Sequence, residues 1–132
     1  MKIRQRQPDR KHASSIIAAA ERDMSFTLAL ELTEASAPTI IRNIYECFRM
    51  LGEALLVGKG IEARGHIAPI NELLKLKALT TRPIGLIENL RALRHNINYE
   101  GYMPKLIEAQ DVISLAKACF EPLQEAVLKK ID

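Results

Sequence analysis

The stretch from Ser36 to Gly60, SAPTIIRNIYECFRMLGEALLVGKG, decides the fold class of this chain. Ser36 at the capping position and Pro38 in the first turn are typical of a helix start. The apolar residues that follow include Ile41, Ile44, Phe48, Leu51 and Leu55. They recur at steps of three and four, which is the spacing of one face of an α-helix. The glycines of GKG then end the helix.

The same periodicity predicts the other elements. We expect helices from His12 to about Leu32, from His66 to about Leu76, from about Pro83 to Glu100, and from Pro104 to near the end of the chain. No alternating β-branched run is present, which argues against a sheet. The sequence therefore predicts an all-α fold, an antiparallel bundle of four long helices plus a short helix.

The linker GKGIEARG, residues 58–65, carries three glycines in eight residues and could suggest a phosphate-binding loop. The Walker pattern requires a serine or threonine directly after its lysine, and Lys59 is followed by Gly60. This kind of nucleotide site is excluded. The short helix that follows begins at His66, for which a packing role is favoured over capping.

Length and charge divide the chain into two parts. With 132 residues it fits one domain. Five basic residues and one acidic residue give residues 1–11 a charge of +4, and the overall charge of +3 leaves −1 for the remainder. We expect a basic N-terminal arm, 1–11, and a single helical domain, 12–132. The arm is either a solvated terminus or a contact for nucleic acid or an acidic partner.

Composition gives no sign of a metal site, a membrane span or a secretory signal. The two cysteines, Cys47 and Cys119, fall in predicted helices and are interpreted as core thiols. The three histidines, His12, His66 and His95, lack the spacing of metal ligands. No uninterrupted apolar stretch is long enough to cross a bilayer. We therefore expect a cytoplasmic protein with no membrane association, no metal and no cofactor.

One predicted helix carries an unusual polar face, in the stretch LRALRHNINYEGY from Leu90 to Tyr102. On a helical wheel its apolar residues group on one side, at Leu86, Leu90, Leu93 and Ile97. Within an arc of about 100° on another side lie Arg91, Arg94, His95 and Asn98. Fixed positive charge beside a titratable imidazole is a combination that can hold a phosphate and move a proton.

The charges on this face predict an anion partner. No Asp or Glu lies between Glu88 and Glu100, so we expect the arginines to lack carboxylate partners one turn away. The alternative is an ordinary solvated helix face. Tyr45, beside the apolar stripe of the second helix, is a weaker candidate and is interpreted as a core or interface tyrosine.

The order of these elements resembles a HEPN domain over residues 13 to 128. The resemblance rests on the second helix entered through SAP and carrying EALL before a glycine-rich turn, and on the helix ending in RHNINYEGY. Members of that family are helical bundles that usually dimerise, and many are metal-independent ribonucleases. Others form toxin and antitoxin pairs with a minimal nucleotidyltransferase. The resemblance implies a homodimer, an RNA or nucleotide ligand and a nucleotidyltransferase antitoxin as partner.

The family motif is an arginine, a polar residue, three variable residues and a histidine. Arg94 and His95 match its first two positions, but Tyr99 stands where the histidine is expected. Cleavage of RNA needs a base that titrates near neutral pH, and a phenol titrates near about 10. In a second register Arg91 and His95 lie one turn apart, so that His95 serves as base. Tyr102 is loosely comparable to a family tyrosine modified by the partner.

Three hypotheses follow from the sequence. The first is a dimeric module with a cationic cleft for RNA or a nucleotide, which acts as the toxin-like subunit of a pair. In its catalytic form this is a metal-independent ribonuclease that uses Arg94, His95 and Tyr99, with Arg91, Asn98 and Tyr102 as ligand-binding residues. The second is a silent binding module or adaptor that keeps the arginines. The third is a purely structural protein-interaction bundle.

Overall fold

The computed structural model describes residues 3–5, 7–63 and 67–132. Within these ranges it contains five helices and one short two-stranded ribbon. The helices are α1 (Arg10–Leu28), α2 (Ala37–Gly58), α3 (Ile67–Leu74), α4 (Leu86–Tyr99) and α5 (Leu106–Ile131). The strands are β1 (Ile3–Gln5) and β2 (Ile61–Ala63), which pair antiparallel with Arg4 opposite Glu62. Four longer helices and one short helix are therefore present, and the fold is helical apart from the ribbon.

Helix α2 lies at the centre of the core and packs against all four other helices. The residues of its apolar stripe are fully or almost fully buried: Ile41, Ile44, Phe48, Leu51 and Leu55. Complete burial of one such side chain contributes about 1.5–3 kcal/mol. The apolar stripe that predicts this helix is therefore buried in the core of the same chain.

Helix α1 differs from its predicted range at both ends. Its first turn is capped by Asp9, whose carboxylate accepts a hydrogen bond from the backbone N–H of His12 at 2.9 Å, so α1 begins inside the predicted basic arm. It ends at Leu28, four residues early, because the backbone tightens into a turn in which the Leu30 N–H donates to the carbonyl of Thr27 at 3.1 Å. The arm is also tied to the domain through the pairing of β1 with β2.

Ser36 occupies the capping position of α2, but its side chain does not cap the helix. Its hydroxyl donates to the carbonyl of Glu31 at 2.7 Å and accepts from the N–H of Thr33 at 2.8 Å. Serine is a versatile donor and acceptor in turns, and here it fixes the connection between α1 and α2. The predicted helix start is correct, and the predicted capping bond is wrong.

Helix α4 is held on α2 by the buried side chains of Ile87, Leu90 and Ile97. It begins three residues after Pro83, because the residues before it form a turn. In this turn the N–H of Leu86 donates to the carbonyl of Pro83, three residues earlier. It ends before Gly101, whose φ of +67° glycine adopts without strain. The N–H of Tyr102 then donates to the carbonyl of Asn96 at 3.1 Å, a closure typical of glycine-terminated helices.

Two remaining expectations concern the membrane and His66. In the parts of the chain that the structure describes, every helix is too short or too polar to cross a bilayer. The role expected for His66 lies outside the described residues, and α3 is described from Ile67.

Candidate functional site

The polar side of α4 faces solvent because its opposite side is anchored in the core. Ile97 is buried, whereas Arg91 and Arg94 are partly exposed and the three residues His95, Asn98 and Tyr99 are exposed. We call these five polar residues, together with Arg42 of α2, the arginine face. The helix thus presents the predicted polar residues on one accessible surface.

Arg94 is fixed by two aromatic rings. Its guanidinium carbon lies 5.3 Å from the centre of the Tyr45 ring and 5.9 Å from the centre of the Tyr99 ring. A cation over an aromatic face gains about 0.5–1 kcal/mol at exposed sites. Among the described residues no carboxylate lies within 4 Å of this guanidinium. The rings hold Arg94 in place, and its charge has no acidic partner in the described part of the chain.

Tyr45 supports Arg94 from the neighbouring helix α2. Its side chain is 1% exposed on α2, in agreement with the core role inferred from the sequence. Burial raises the pKa of its phenol above the ordinary value, and the charges of Arg94, Arg91 and Arg49 act in the opposite direction. Three arginines therefore lie close enough to influence one buried ring. Tyr45 is a support for the arginine face and is too buried to contact a ligand.

Arg91 has an acidic partner, contrary to the expectation from the sequence. Its Nε donates to Glu88 at 2.8 Å across a spacing of three residues, and the two form an ion pair. The prediction took account only of the residues after Glu88 and overlooked Glu88 itself. The hydrogen bond to Glu88 raises the pKa of Arg91, so the guanidinium remains charged. The Glu88 carboxylate partly neutralises that charge, which makes Arg91 a weaker site for an anion.

Arg42 is a residue of the face that sequence analysis missed. Its Nε donates to the side-chain oxygen of Asn98 at 2.6 Å, which joins α2 to α4 across the surface. No acidic side chain among the described residues pairs with it. The available signal was the spacing of Arg42, Tyr45 and Arg49, which lie on one side of α2. Arg49 is instead neutralised by Glu46 and Glu53.

His95 and Tyr99 form an exposed ring pair. Their centres are 4.8 Å apart and their planes are inclined by 45°. Because Tyr99 also contacts Arg94, the imidazole and the guanidinium both lie against one phenol ring. The structure thus brings together all three residues proposed as catalytic, and Tyr99 contacts both of the others.

Tyr102 lies apart from the arginines. Its hydroxyl donates to the Glu108 carboxylate at 2.6 Å, and the same carboxylate oxygen accepts from the backbone N–H of Lys105 at 2.9 Å. The hydrogen bond to Glu108 raises the pKa of Tyr102, and those from Lys105 and Tyr102 lower the pKa of Glu108. No hydrogen bond or cation–π contact within the described ranges joins Tyr102 to Arg91 or Arg94. Its visible role is to close the turn between α4 and α5.

An apolar surface adjoins the end of α4. Its members are the exposed side chains Tyr102, Met103, Leu106 and Ile107, which we call the apolar patch. Met103 and Leu106 also line an open cleft of about 650 Å³ together with Glu34. A second groove, of about 530 Å³ between α1 and α5, carries Glu21, Glu121 and Glu125 and is unsuited to an anion.

In the described part of the chain no three His, Cys, Asp or Glu side chains are grouped as a metal site would require. Both cysteines are buried and unpaired with each other. No family model, curated protein or solved structure matches the chain.

Proposed function

We propose that this chain is a HEPN-like dimeric module whose arginine face binds RNA or a nucleotide. The observation that carries the proposal is an exposed helix face with two arginines, Arg42 and Arg94, that lack an acidic partner in the described ranges. A phosphate group fits such a face, because guanidinium groups donate charge-assisted, bidentate hydrogen bonds to phosphate oxygens. The motif resemblance through Arg94 and His95 adds RNA as the expected polymer.

The test is binding of a fluorescein-labelled, ten-nucleotide single-stranded RNA, followed by anisotropy at several salt concentrations. Arg94→Ala should weaken binding by about 1.5–3 kcal/mol, the usual loss for a hydrogen bond to a charged group. Arg42→Ala should act in the same direction. The matched control is Arg22→Ala, an exposed arginine of α1 outside the arginine face. Equal weakening by the control, or none by Arg94→Ala, would refute the proposal.

Thermal unfolding separates a ligand contact from a structural role. Removing the Arg94 side chain also removes its contact with Tyr45, so this variant should lose about 0.5–1 kcal/mol of stability. Arg42 contacts no aromatic ring among the described residues, and its alanine variant loses only the exposed hydrogen bond to Asn98, so it should be destabilised by no more than about 1 kcal/mol. If Arg42→Ala is strongly destabilised, the arginines are structural, and the third hypothesis, a purely structural protein-interaction bundle, is favoured.

The proposed homodimer is supported by the apolar patch. The apolar stripe of helix α2 is buried, whereas Met103 and Ile107, in the segment that follows α4, are 65% and 70% exposed. A second copy that covered this patch would bring two arginine faces close together. Light scattering at micromolar concentration should give twice the chain mass, and Ile107→Glu should give the monomer. A strictly monomeric wild type would remove the composite cleft from the proposal.

Metal-independent ribonuclease activity is the second candidate. The observation in its favour is that Arg94 and His95 both lie against Tyr99, so a cation and an imidazole share one exposed surface. In that case His95 would act as the base and Arg94 would stabilise the phosphorane. Pairing with a nucleotidyltransferase antitoxin remains part of the proposal and is tested by co-purification of the two proteins from one operon.

A further inference from the structure

We propose that the occupant of the arginine face is a single-stranded polynucleotide, with one unpaired base stacked on Tyr99 and the neighbouring phosphates on Arg94 and Arg42. This inference rests on the proposed function and specifies the class of ligand. It assigns Tyr99 a stacking role, whereas the motif position would have made it a catalytic base.

Tyr99 offers an accessible aromatic surface. Its side chain is 66% exposed although it belongs to a helix anchored in the core by Ile97. Its neighbours within the face are His95 and Arg94, so one part of the ring is supported by protein. An aromatic ring that is held by its neighbours and still largely exposed is what a nucleobase needs for stacking.

The planar groups form a series from the core to the solvent. Buried Tyr45 carries Arg94, Arg94 contacts Tyr99, and Tyr99 contacts His95. Each group restricts the next, which lowers the entropy that would be lost when a ligand is bound. A base stacked on the exposed part of Tyr99 would add one more flat group to this cluster.

The two cations lie along the stripe of α4 next to the one that carries Tyr99. Arg42 is held at Asn98, one residue before Tyr99, and Arg94 is four residues before Asn98 on the same helix. Residues four apart on a helix are separated by about 6 Å along its axis. This is comparable to the spacing of neighbouring phosphates along a polynucleotide strand. Cations held at positions one helical turn apart favour a strand over a single phosphate group.

A duplex fits this site poorly. Bases inside a duplex are stacked on their neighbours and cannot present a face to Tyr99, whereas unpaired bases can be splayed onto aromatic side chains. A single-stranded segment thus gains both the charge contacts and the stacking contact. A duplex gains only the charge contacts.

The experiment uses the labelled ten-nucleotide RNA, the duplex with its complement, and a version with abasic sites. Tyr99→Leu removes the ring at similar volume and should weaken binding of the single strand roughly tenfold. Tyr99→Phe keeps the ring and should bind within about twofold of wild type. The abasic strand should bind more weakly than the intact strand and should be insensitive to Tyr99→Leu.

Salt dependence distinguishes stacking from charge. Arg94→Ala should lower the slope of log affinity against log salt by about 0.7, the value for one phosphate of a single strand. Tyr99→Leu should shift the line without changing its slope. The chain has three tyrosines and no tryptophan, so ligand-induced quenching of tyrosine emission should be largely lost in Tyr99→Phe even though the affinity is kept.

The outcomes separate the two proposals. If RNA binding depends on Arg94 but is equal in wild type and Tyr99→Leu, or equal for duplex and single strand, the stacking inference is wrong and the proposed function stands. If no RNA binds even at low salt, both are wrong. Thermal unfolding of each variant confirms that the exposed substitutions leave the fold intact.

Discussion

Replacement of Gly52 by alanine should destabilise the protein, because the added methyl group would meet the backbone of a neighbouring helix. Gly52 lies in α2 where α3 crosses it, and a Cβ built on Gly52 would lie 1.9 Å from the carbonyl oxygen of Pro69. Ordinary van der Waals contact for a Cβ begins at 3.4 Å, so the two helices would have to separate by about 1.5 Å. The obstructing atoms belong to the backbone, so no side-chain rotation relieves the clash.

The expected magnitude follows from this geometry. Overpacking of a core costs typically about 1–3 kcal/mol, and a contact with backbone belongs at the upper end. Alanine has a better helix propensity than glycine and returns up to about 1 kcal/mol. Separation of α3 would also expose part of Ile70 and Leu73, which are fully buried. The net loss should be about 2 kcal/mol, a fall in Tm of roughly 6–10 °C for a chain of this size.

The assay is thermal and urea unfolding followed by circular dichroism, and Gly85→Ala is the matched control. A Cβ at Gly85 meets nothing within 4 Å, and its φ of −57° suits alanine. This variant should be unchanged or more stable by about 0.4–1 kcal/mol. If Gly52→Ala is as stable as the wild type, α2 and α3 do not approach each other this closely and the reasoning fails.

Three other predictions test burial, ion pairing and catalysis. Burial raises the pKa of the Cys47 thiol to about 12. Native protein should therefore resist thiol reagents at pH 8, and its stability should decline as the pH rises above about 9. Rapid labelling of folded protein would contradict this. Partial burial acts to raise the pKa of Glu72, but hydrogen bonds from Lys75 and Lys59 lower it on balance. Its contribution to stability is therefore present above the unfolded pKa, about 4.3, and is lost as the pH falls through the lower folded value, so Glu72→Gln should flatten acid unfolding curves. Purified wild type should leave RNA intact, and Tyr99→His should gain some EDTA-resistant cleavage. If the wild type cleaves RNA and His95→Ala does not, the protein is instead a ribonuclease.

The helices could be predicted from sequence because helix formation follows a local periodic pattern. The apolar spacing of α2 and the end of α4 near Glu100 both follow from residues a few positions apart. Helix ends were less accurate, since Leu28 and Leu86 are terminal residues determined by turn hydrogen bonds that no periodicity encodes. The pairing of Arg91 with Glu88 was missed although its spacing of three residues is visible in the sequence.

The sequence by itself determined that a polar side of α4 exists and that Arg91, Arg94, His95 and Asn98 belong to it, because residues three and four positions apart share a helix surface. Only the tertiary structure decided which neighbours this surface has. Arg42 reaches Asn98 across 56 positions of sequence, and Tyr45 lies beneath Arg94 from another helix. The physical reason is that these contacts depend on how α4 rests against α2. That placement is set by the packing of the whole core. No single stretch of sequence specifies which other helix it will contact.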